Sequence, residues 1–388
     1  MSTVLHDVIV VGAGPVGASL ALALADADLD IVVLDARPES GLPGSDRSIA
    51  LSHGARLIFE RLQVWAELAR TPGAVTPITD IDISQAGGFG TAGLHARDHH
   101  LPALGYVVSY SALQAALDTA LTRARIPVRY GATVAHAGGT PAYAGVNVAG
   151  ESGPLLGRLA VIADGSGAHV AGLSRRRHDY EQTALVAKVW CRQPPHGLAY
   201  ERFTPDGPVA LLPENDHYAL VWTGSPAAVQ ALLATDDASF LARLALRFGG
   251  RRTGFTAVAQ RRSFPLALEV APSTVSTRCA VIGNAAQALH PVAGQGFNLG
   301  LRDAYELARI VIDTPVESIG NPSMLARYAR HRRWDRWAGV ALTHGLLGLF
   351  GNASPWLRWP RGIALAMLDA MPPAKHMFTH AMLFGAHL

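Results

Sequence analysis

The amino-acid sequence predicts an α/β fold with a β-rich part inserted into it and a helical region at its C-terminal end. The chain begins with a strand, a Gly-rich turn, a helix and a second strand in succession. Residues Thr76–Val108 and Thr183–Thr223 are rich in β-branched and aromatic residues interrupted by Gly, Pro, Asn and Asp, which is typical of antiparallel strands. From Phe297 onward the apolar spacing is helical. Helices and strands therefore alternate at both ends of a β-rich middle.

Composition and charge limit the classes of protein to which the chain can belong. Of the 388 residues, 49% are hydrophobic and 16% are charged, which indicates a large buried core and two or three closely joined units. Two cysteines, Cys191 and Cys279, are too few for a disulfide framework or a zinc knuckle. The start lacks a signal-peptide pattern, and the best apolar stretch, Ala338–Phe350, has only 13 residues. We therefore expect a cytoplasmic protein without a membrane-spanning helix.

The first strand–helix–strand segment carries a glycine motif. After the predicted strand Val8–Val11, Gly12, Gly14 and Gly17 follow in GxGxxG spacing at the start of a helix. The first glycine permits a tight turn, the second lets the backbone approach a pyrophosphate, and the third lets the helix pack on the strand. Asp35 ends the next strand, 18 residues after the last glycine, where it can accept hydrogen bonds from ribose hydroxyls. The segment predicts a dinucleotide site.

The later elements follow from apolar spacing and turn residues. A buried strand at Leu159–Ala163 runs into the turn Asp164-Gly165. The further predicted helices are Ser111–Arg125, Pro226–Phe248 and the region after Phe297, which is broken at Gly351–Pro355 and at Pro372-Pro373.

A second glycine-containing segment, Cys279–Ala308, lies near the end of the α/β part. Its predicted strand ends at Asn284, a loop with His290 and Pro291 follows, and Gly294-Gln295-Gly296 leads into a helix. Backbone N–H groups at the start of a helix can face an anion. A reduced flavin, with negative charge on N1 and the C2 oxygen, is such an anion, so this segment is a candidate flavin site.

Together these segments resemble the FAD-dependent aromatic hydroxylases that carry a single Rossmann fingerprint. The run GNAAQ-x-LHP-x-AGQGFNLG-x-RD at Gly283–Asp303 is similar to the ubiquinone-biosynthesis hydroxylases of that family, and most of all to the 2-polyprenyl-6-methoxyphenol hydroxylases. Segments Ala199–Phe203 and Gly207–Pro213 resemble the same subfamily.

The resemblance implies the aromatic-hydroxylase fold, a Rossmann-type FAD-binding domain with an inserted β-rich substrate domain. The FAD-binding domain is predicted to comprise residues 1–75, 105–180 and 275–321, and the substrate domain residues 76–104 and 181–274. Residues 322–388 are the predicted helical C-terminal region.

The resemblance and the glycine motif together indicate which residues hold the cofactor. His290 and Pro291 are candidate catalytic residues because the family motif places them over the flavin ring; the alternative is a packed loop histidine. The candidate FAD contacts are Gly12, Gly14, Gly17, Asp35, Arg37, Arg47, Asp164, Asn284, Gly294, Gln295, Gly296 and Asn298.

Three positions depart from the family pattern. Ala168 and Ala171 stand where the wider family has Ser and Arg, which leaves the pyridine-nucleotide contact attributed to that segment without its usual side chains. Tyr110 replaces an Arg that contacts the pyrophosphate. We expect Arg47 or backbone groups to take over that contact.

The implied activity is hydroxylation of an aromatic ring. NAD(P)H, a transient co-substrate for which no second GxGxxG exists, reduces FAD. O2 then adds to form a C4a-hydroperoxide, and the distal oxygen passes to a ring carbon of a polyprenylated methoxyphenol on the way to ubiquinone. The protein orients the flavin and excludes water, which suits the apolar composition. Alternatives are the same chemistry on a small soluble phenol, flavin-dependent reduction of isoprenoid double bonds, and a non-catalytic lipid-binding or assembly subunit.

Histidine pairs and arginine clusters predict neither metal nor nucleic-acid binding. The i,i+4 pairs His95/His99 and His376/His380 lack further ligands at metal-binding spacing. The arginines at 175–177 and 261–262 have no aromatic stacking platform beside them.

The C-terminal region differs in charge from the rest of the chain. Residues 322–388 hold eight Lys and Arg against two Asp, a net charge of +6, which leaves −3 for the rest of a chain whose total is +3. Four of the seven tryptophans lie here: Trp334, Trp337, Trp356 and Trp359. Such a segment can rest peripherally on the inner face of the plasma membrane, where a polyprenylated phenol also resides. The alternative is that its rings pack on the FAD-binding domain, and a ubiquinone-biosynthesis protein complex is a further candidate partner.

Overall fold

The computed structural model describes residues 5–39, 47–165, 168–249, 254–289, 294–350 and 358–385. The strands in these ranges are β1 (Leu5–Val11), β2 (Ile31–Leu34), β3 (Ser48–Ser52), β4 (Val75–Ile78), β5 (Asp80–Gln85), β6 (Thr91–His95), β7 (Gly105–Ser109), β8 (Val128–Arg129), β9 (Val134–Gly139), β10 (Ala144–Val148), β11 (Leu155–Ile162), β12 (His169–Val170), β13 (Arg176–Cys191), β14 (Leu198–Phe203), β15 (Val209–Glu214), β16 (His217–Gly224), β17 (Phe255–Val270), β18 (Val275–Ser276), β19 (Cys279–Val281) and β20 (Gln287–Ala288). The helices are α1 (Pro15–Ala23), α2 (His53–Arg61), α3 (Trp65–Arg70), α4 (Tyr110–Arg123), α5 (Pro226–Leu233), α6 (Asp237–Phe248), α7 (Gln295–Ile312), α8 (Pro322–Phe350), α9 (Arg358–Ala370) and α10 (Pro372–Phe384).

The first sheet places the turns that follow four parallel strands at one edge. Its order is β12-β9-β10-β11-β1-β2-β8, with β19 beside β11 and β18 beside β19. The four strands β2, β1, β11 and β19 run parallel to one another. Ligands of open α/β sheets bind outside the carboxyl ends of such strands. The turns that follow these strands begin at Gly12, Asp35, Ala163 and Ile282, so they meet at this edge.

The helices α1, α4 and α7 cover one face of this sheet, where an apolar core joins them to it. Helix α7 approaches the turn after β19 closely, because a glycine lies on each side of the contact. A Cβ on Gly300 of α7 would lie 2.8 Å from the Cα of Gly283. The apolar strands β1 and β2 are buried along most of their length, as expected for strands covered on both faces.

The second sheet is the β-rich part of the chain, with the order β20-β17-β13-β16-β15-β14-β5-β6. Helices α5 and α6 pack on one of its faces through Val229, Phe240 and Phe248. Leu365 of α9 and Leu383 of α10 share a separate core with β5 and β6. A small third sheet, β3-β7-β4, lies within the residues described.

The structure confirms the predicted α/β fold class with its β-rich part and C-terminal helices, and it corrects two predicted helices. Pro226–Phe248 is two helices rather than one, because the Asp236 side chain accepts a hydrogen bond from the Ser239 N–H and caps a new helix. The helical region after Phe297 is also interrupted between Ile312 and Pro322. The domain boundaries proposed from the sequence stay a prediction.

Candidate active site

The GxGxxG turn is held in shape by contacts that only glycine permits at two positions. Gly12 has a φ of +101°, and a Cβ there would lie 2.8 Å from the backbone of Ala163. A Cβ on Gly17 would overlap the carbonyl oxygen of Gly12. Gly14, by contrast, precedes α1 and has nothing within 4 Å of its Cβ position. The turn is therefore compact on its protein side and open at Gly14, where backbone can approach a pyrophosphate.

Asp35 and Arg37 belong to a hydrogen-bonded ring beneath this turn. The Asp35 carboxylate accepts hydrogen bonds from the Ala13 N–H (2.5 Å) and from the Arg37 N–H (2.8 Å). The Arg37 guanidinium makes two hydrogen bonds to Asp118 of α4, at 2.9 and 2.5 Å. Gln114 closes the ring by donating to Asp118 and to the Ala13 carbonyl, both at 2.9 Å. This network fixes the turn and presents Asp35 beside it.

Arg47 packs against Tyr110, the residue that stands where the family pattern has an arginine. Its guanidinium stacks 4.4 Å from the centroid of the Tyr110 ring. Its carbonyl oxygen also accepts a hydrogen bond from the Tyr110 N–H, at 2.9 Å. The positive charge therefore stays at the start of α4, although the residue that occupies the motif position is an aromatic one.

Asp164 lies in the turn after β11, and only one of its two carboxylate oxygens accepts a hydrogen bond from the described residues. One carboxylate oxygen accepts from the Ala168 N–H at 2.6 Å. The other, Oδ1, is buried and has no partner among the described residues. A buried carboxylate oxygen without a partner is costly, and hydroxyl groups of a ribityl chain or ribose are donors that would satisfy it.

The start of α7 is tied to β3 by Asn298. The Asn298 amide accepts from the Ser52 N–H (2.9 Å) and donates to the Gly294 carbonyl (2.8 Å) and the Ala50 carbonyl (3.3 Å). Gly294 caps the helix with a φ of +61°, and a Cβ there would lie 3.0 Å from the Ala50 Cβ. The first N–H groups of α7 have no intrahelical partner and can face an anion.

A buried ion network holds α7 against the loop that follows β19. The carboxylate of Asp303, which is fully buried, accepts from Arg332 (2.7 Å) and from Gln287 (2.6 Å). Arg332 also contacts Asp335 at 2.7 Å. Nearby negative charges raise the pKa of the Arg332 guanidinium although burial opposes this. Through this network Gln287 and Asp303 tie α7 to the segment that follows Asn284.

An apolar cavity of about 270 Å³ adjoins this helix start. Gly294, Gln295 and Asn298 line one part of it, and the second sheet lines another. The remaining walls come from the third sheet, which contributes Leu51 and Gly105 among others, and from three C-terminal helices, α8, α9 and α10. A flavin held at the start of α7 would therefore border an apolar cavity of the kind that accommodates an apolar substrate.

The residues at the sheet edge fit a dinucleotide such as FAD. Three kinds of contact are available. The open backbone at Gly14 can approach the pyrophosphate, and Oδ1 of Asp164 can accept a hydrogen bond from a ribityl hydroxyl. The N–H groups at the start of α7 can face an anionic ring. Residues 6–343 also match the family model described as an FAD binding domain. The chain is 34% identical to ubiquinone hydroxylase UbiL of Rhodospirillum rubrum, over 97% of this chain and 89% of that protein.

The chain belongs to the family of FAD-dependent aromatic hydroxylases. The hydroxylase is also 29% identical to 3-demethoxyubiquinol 3-hydroxylase of Escherichia coli, over 92% of this chain and 93% of that protein. Among solved structures, p-nitrophenol 4-monooxygenase PnpA of Pseudomonas putida covers the whole chain with a TM-score of 0.78 and 18% identity, a likeness of fold. The predicted family, the enzyme class and FAD as cofactor are confirmed.

The structure does not place every predicted site residue. His290 and Pro291 lie outside the described residues, so their catalytic assignment stays a prediction. Asn284 is exposed in the loop after β19, and a Cβ on Gly296 would lie 3.8 Å from the Leu289 Cβ. Gln295 is buried and donates a long hydrogen bond to the Met382 carbonyl.

Two residues of the site, Gln114 and Asp118, were not predicted from the sequence. They lie one helical turn apart on α4, a spacing that faces both toward the same neighbour. Nothing local indicates that this neighbour is the glycine turn about a hundred residues earlier.

The described ranges contain neither a cluster of metal ligands nor a membrane-spanning helix. There, no group of three or more His, Cys, Asp or Glu residues could hold a metal ion. His99 and His376 stack at 4.7 Å instead. No helix within those ranges combines the length and the apolar character needed to cross a bilayer.

Proposed function

We propose that the hydroxylase adds oxygen to the ring of a polyprenylated methoxyphenol during ubiquinone biosynthesis, with NAD(P)H and O2 as co-substrates. The observation that carries this proposal is the apolar cavity between the second sheet and the C-terminal helices. Its walls are mostly Leu, Ile, Ala, Val, Phe and Met side chains, which suit an isoprenoid chain. The names of the R. rubrum and E. coli relatives support the same pathway.

Some residues around the cavity bind the cofactor, and others orient the substrate. When bound, FAD supplies the transfer of electrons from NAD(P)H to O2. The Gly12–Gly17 turn and Arg47 hold the dinucleotide, and Asn298 fixes the start of α7 at the ring end. The apolar walls exclude water from the oxygen-transfer step and orient the phenol. In this proposal, NAD(P)H visits the flavin transiently.

We further propose that the C-terminal helices rest on the cytoplasmic face of a membrane and admit the substrate from it. Trp334, Trp337 and Trp359 expose 56%, 64% and 68% of their surface, so these three rings are not packed into the FAD-binding part. Trp356 lies outside the described residues. The exposed rings of Trp334 and Trp337 lie close in the sequence to the exposed side chains of Arg330 and Arg333, in a region of net charge +6. Exposed Trp with exposed Arg is the combination that binds an anionic interface. Because α8, α9 and α10 also wall the cavity, a lipid-borne substrate has a short path into it.

Liposome flotation tests the membrane proposal without truncating the chain. The double substitution Trp337→Gln and Trp359→Gln removes two exposed rings, and Leu246→Gln on α6, whose side chain is 80% exposed, is the matched control. We expect wild type and the control to float with vesicles that contain anionic lipid, and the double variant to float less. Equal flotation of all three proteins, or flotation of none, contradicts the proposal.

A series of phenols tests the substrate class. We expect kcat/KM for NAD(P)H-dependent hydroxylation to rise by about tenfold or more with the first isoprene unit, because each buried CH2 group is worth about 0.8 kcal/mol. Equal kcat/KM for the unprenylated phenol indicates a small soluble substrate instead. Loss of a substrate double bond without O2 uptake indicates a reductase, and protein without flavin indicates a non-catalytic subunit.

A further inference from the structure

One acidic side chain lies among the described residues that line the cavity, and its neighbours across the sheet are apolar. Glu201 lies in the middle of β14, and it is the only Asp, Glu, Lys, Arg or His among the described residues that line the cavity. Its neighbours across the sheet are Ile83 of β5 and Ala210 of β15, which are both apolar. A carboxyl group in such surroundings destabilises the fold unless something pairs with it.

Strand alternation explains how this side chain reaches the cavity. Ala199 and Phe203 line the cavity beside Glu201. Arg202 points to the other face, where it donates to the carbonyl of Arg247 at 2.5 Å. Ala199 and Ala210, which also line the cavity, are small neighbours of Glu201. Glu201 is therefore presented to the space that a substrate would fill.

No protein group satisfies this carboxyl group in the part of the chain that the structure describes. Glu201 makes no hydrogen bond and no ion pair there, whereas Glu214 on the adjacent strand contacts Ser48 (2.8 Å) and His217 (3.1 Å). Burial raises the pKa of Glu201 to about 7. Tyr200 is the other titratable residue of the lining, and its ring packs against core aromatics of the second sheet. The described lining residues of β5, β15, β16 and α7–α10 are uncharged.

We infer that Glu201 is a catalytic residue that binds the phenolic hydroxyl of the substrate and accepts its proton. The inference rests on the proposed function, since a phenol is the group it recognises. In the step, the O–H bond of the phenol breaks and an O–H bond forms on the Glu201 carboxylate. The electron pair stays on the phenolic oxygen, no oxidation occurs, and the proton returns to the product oxygen or to solvent.

Deprotonation of the phenol by Glu201 would make its ring more reactive toward oxygen transfer. A phenolate ring carries more electron density than a phenol ring and is attacked more readily by an electrophilic oxygen. A general base is most effective when its pKa lies near the working pH, which burial achieves here for an ordinary glutamate. A positioned base of this kind contributes about 100-fold to 10,000-fold in rate.

The test compares wild type with Glu201→Gln and Glu201→Asp, and uses Glu214→Gln as the matched control. Each protein is first checked for bound flavin and for its thermal unfolding temperature, so that a misfolded variant is recognised. A nitrophenol, whose phenolate absorbs visible light, is then titrated into each holoenzyme at a series of pH values. Finally, the pH profile of kcat/KM for a prenylated phenol is measured.

We expect wild type and Glu214→Gln to bind nitrophenol as the phenolate at a lower pH than free nitrophenol ionises. Glu201→Gln should bind it as the neutral phenol, and its kcat/KM should fall by about 100-fold or more with loss of the limb near pH 7. Glu201→Asp should recover part of both signals, because it keeps the carboxyl group. A phenolate spectrum and a wild-type pH profile in Glu201→Gln overturn the inference, as does the absence of bound phenolate in wild type.

The two levels of the proposal fail in different ways. If wild type consumes NAD(P)H but hydroxylates no phenol, the proposed function fails. The spectrum of the bound nitrophenol then still shows whether Glu201 accepts the phenolic proton. If wild type hydroxylates phenols and Glu201→Gln does so equally well at every pH, only the assignment of Glu201 fails.

Discussion

The free energy of unfolding should depend on pH through the Glu201 carboxyl group, because this group lies in the apolar cavity. Burial raises the pKa of this carboxyl group from its usual 4.5 to about 7. The folded state therefore prefers the protonated form, and the stability associated with that preference is complete below about pH 4.5 and lost as the pH rises through about 7. Since one pKa unit corresponds to about 1.4 kcal/mol, the ionised carboxylate costs the folded state about 3 kcal/mol at alkaline pH.

Glu201→Gln removes this penalty because the amide has a similar shape and no charge. Between about pH 5 and pH 8.5, we expect the free energy of unfolding of the variant to rise relative to wild type by about 2 kcal/mol. The assay is urea unfolding followed by tryptophan fluorescence, with FAD in the same excess for both proteins. A constant difference between the two proteins across this range would refute the reasoning, because it would mean that the carboxyl group is not desolvated.

Glu214→Gln supplies a control with the opposite trend. Burial alone would raise the pKa of Glu214, but hydrogen bonds from His217 and Ser48 lower it overall. Its carboxylate therefore stabilises the folded protein above its usual pKa, and this contribution disappears as the pH falls. The stability deficit of Glu214→Gln should shrink on acidification, and a deficit that stays the same down to about pH 4 would contradict the lowered pKa.

Three further predictions concern the framework of the site. Gly17→Ala places a Cβ on a carbonyl oxygen of the glycine turn, so we expect a lower thermal unfolding temperature and loss of bound flavin, and wild-type values of both would contradict the contact. Asp118→Asn weakens the ring beneath that turn and should raise the Kd for FAD by about tenfold, as expected for loss of one charged hydrogen bond; an unchanged Kd in a flavin titration would show that the ring is dispensable. Arg332→Met leaves the buried charge of Asp303 without its cation and should cost about 3 to 5 kcal/mol in urea unfolding, against less than about 1 kcal/mol for Arg327→Met, whose ion pair is exposed. Equal losses in those two variants would contradict the distinction.

The sequence predicted those parts of the site that depend on local geometry. The GxGxxG spacing identifies a tight turn between strand and helix, and Gly12 and Gly17 have the close contacts that this turn requires. The prediction that Arg47 or backbone groups take over the pyrophosphate contact stays a prediction; Arg47 stacks on Tyr110, which stands where the family pattern has an arginine. At the glycine turn a few neighbouring residues determine the backbone conformation, so a motif is sufficient.

The parts that were missed depend on residues far apart in the chain. Asp118 reaches Arg37 only because α4 packs beside the turn, and no local pattern on α4 indicates that. Glu201 lies in a segment recognised for its likeness to the hydroxylases, but the face to which it points depends on how β14 sits in the sheet. The sequence predicted one helix over Pro226–Phe248 because the apolar spacing continues across the turn where Asp236 caps the second helix. Tertiary packing decides each of these features.

Isotopic labelling of the product tests the central claim most directly. The holoenzyme is incubated with NADPH, labelled O2 and a short-chain prenylated methoxyphenol, and the product mass is measured. We predict a ring-hydroxylated product that carries one atom of labelled oxygen, together with consumption of one NADPH for each product molecule. A product without the label, or NADPH consumption that yields only hydrogen peroxide, would contradict the assignment of this chain as the hydroxylase of a polyprenylated phenol.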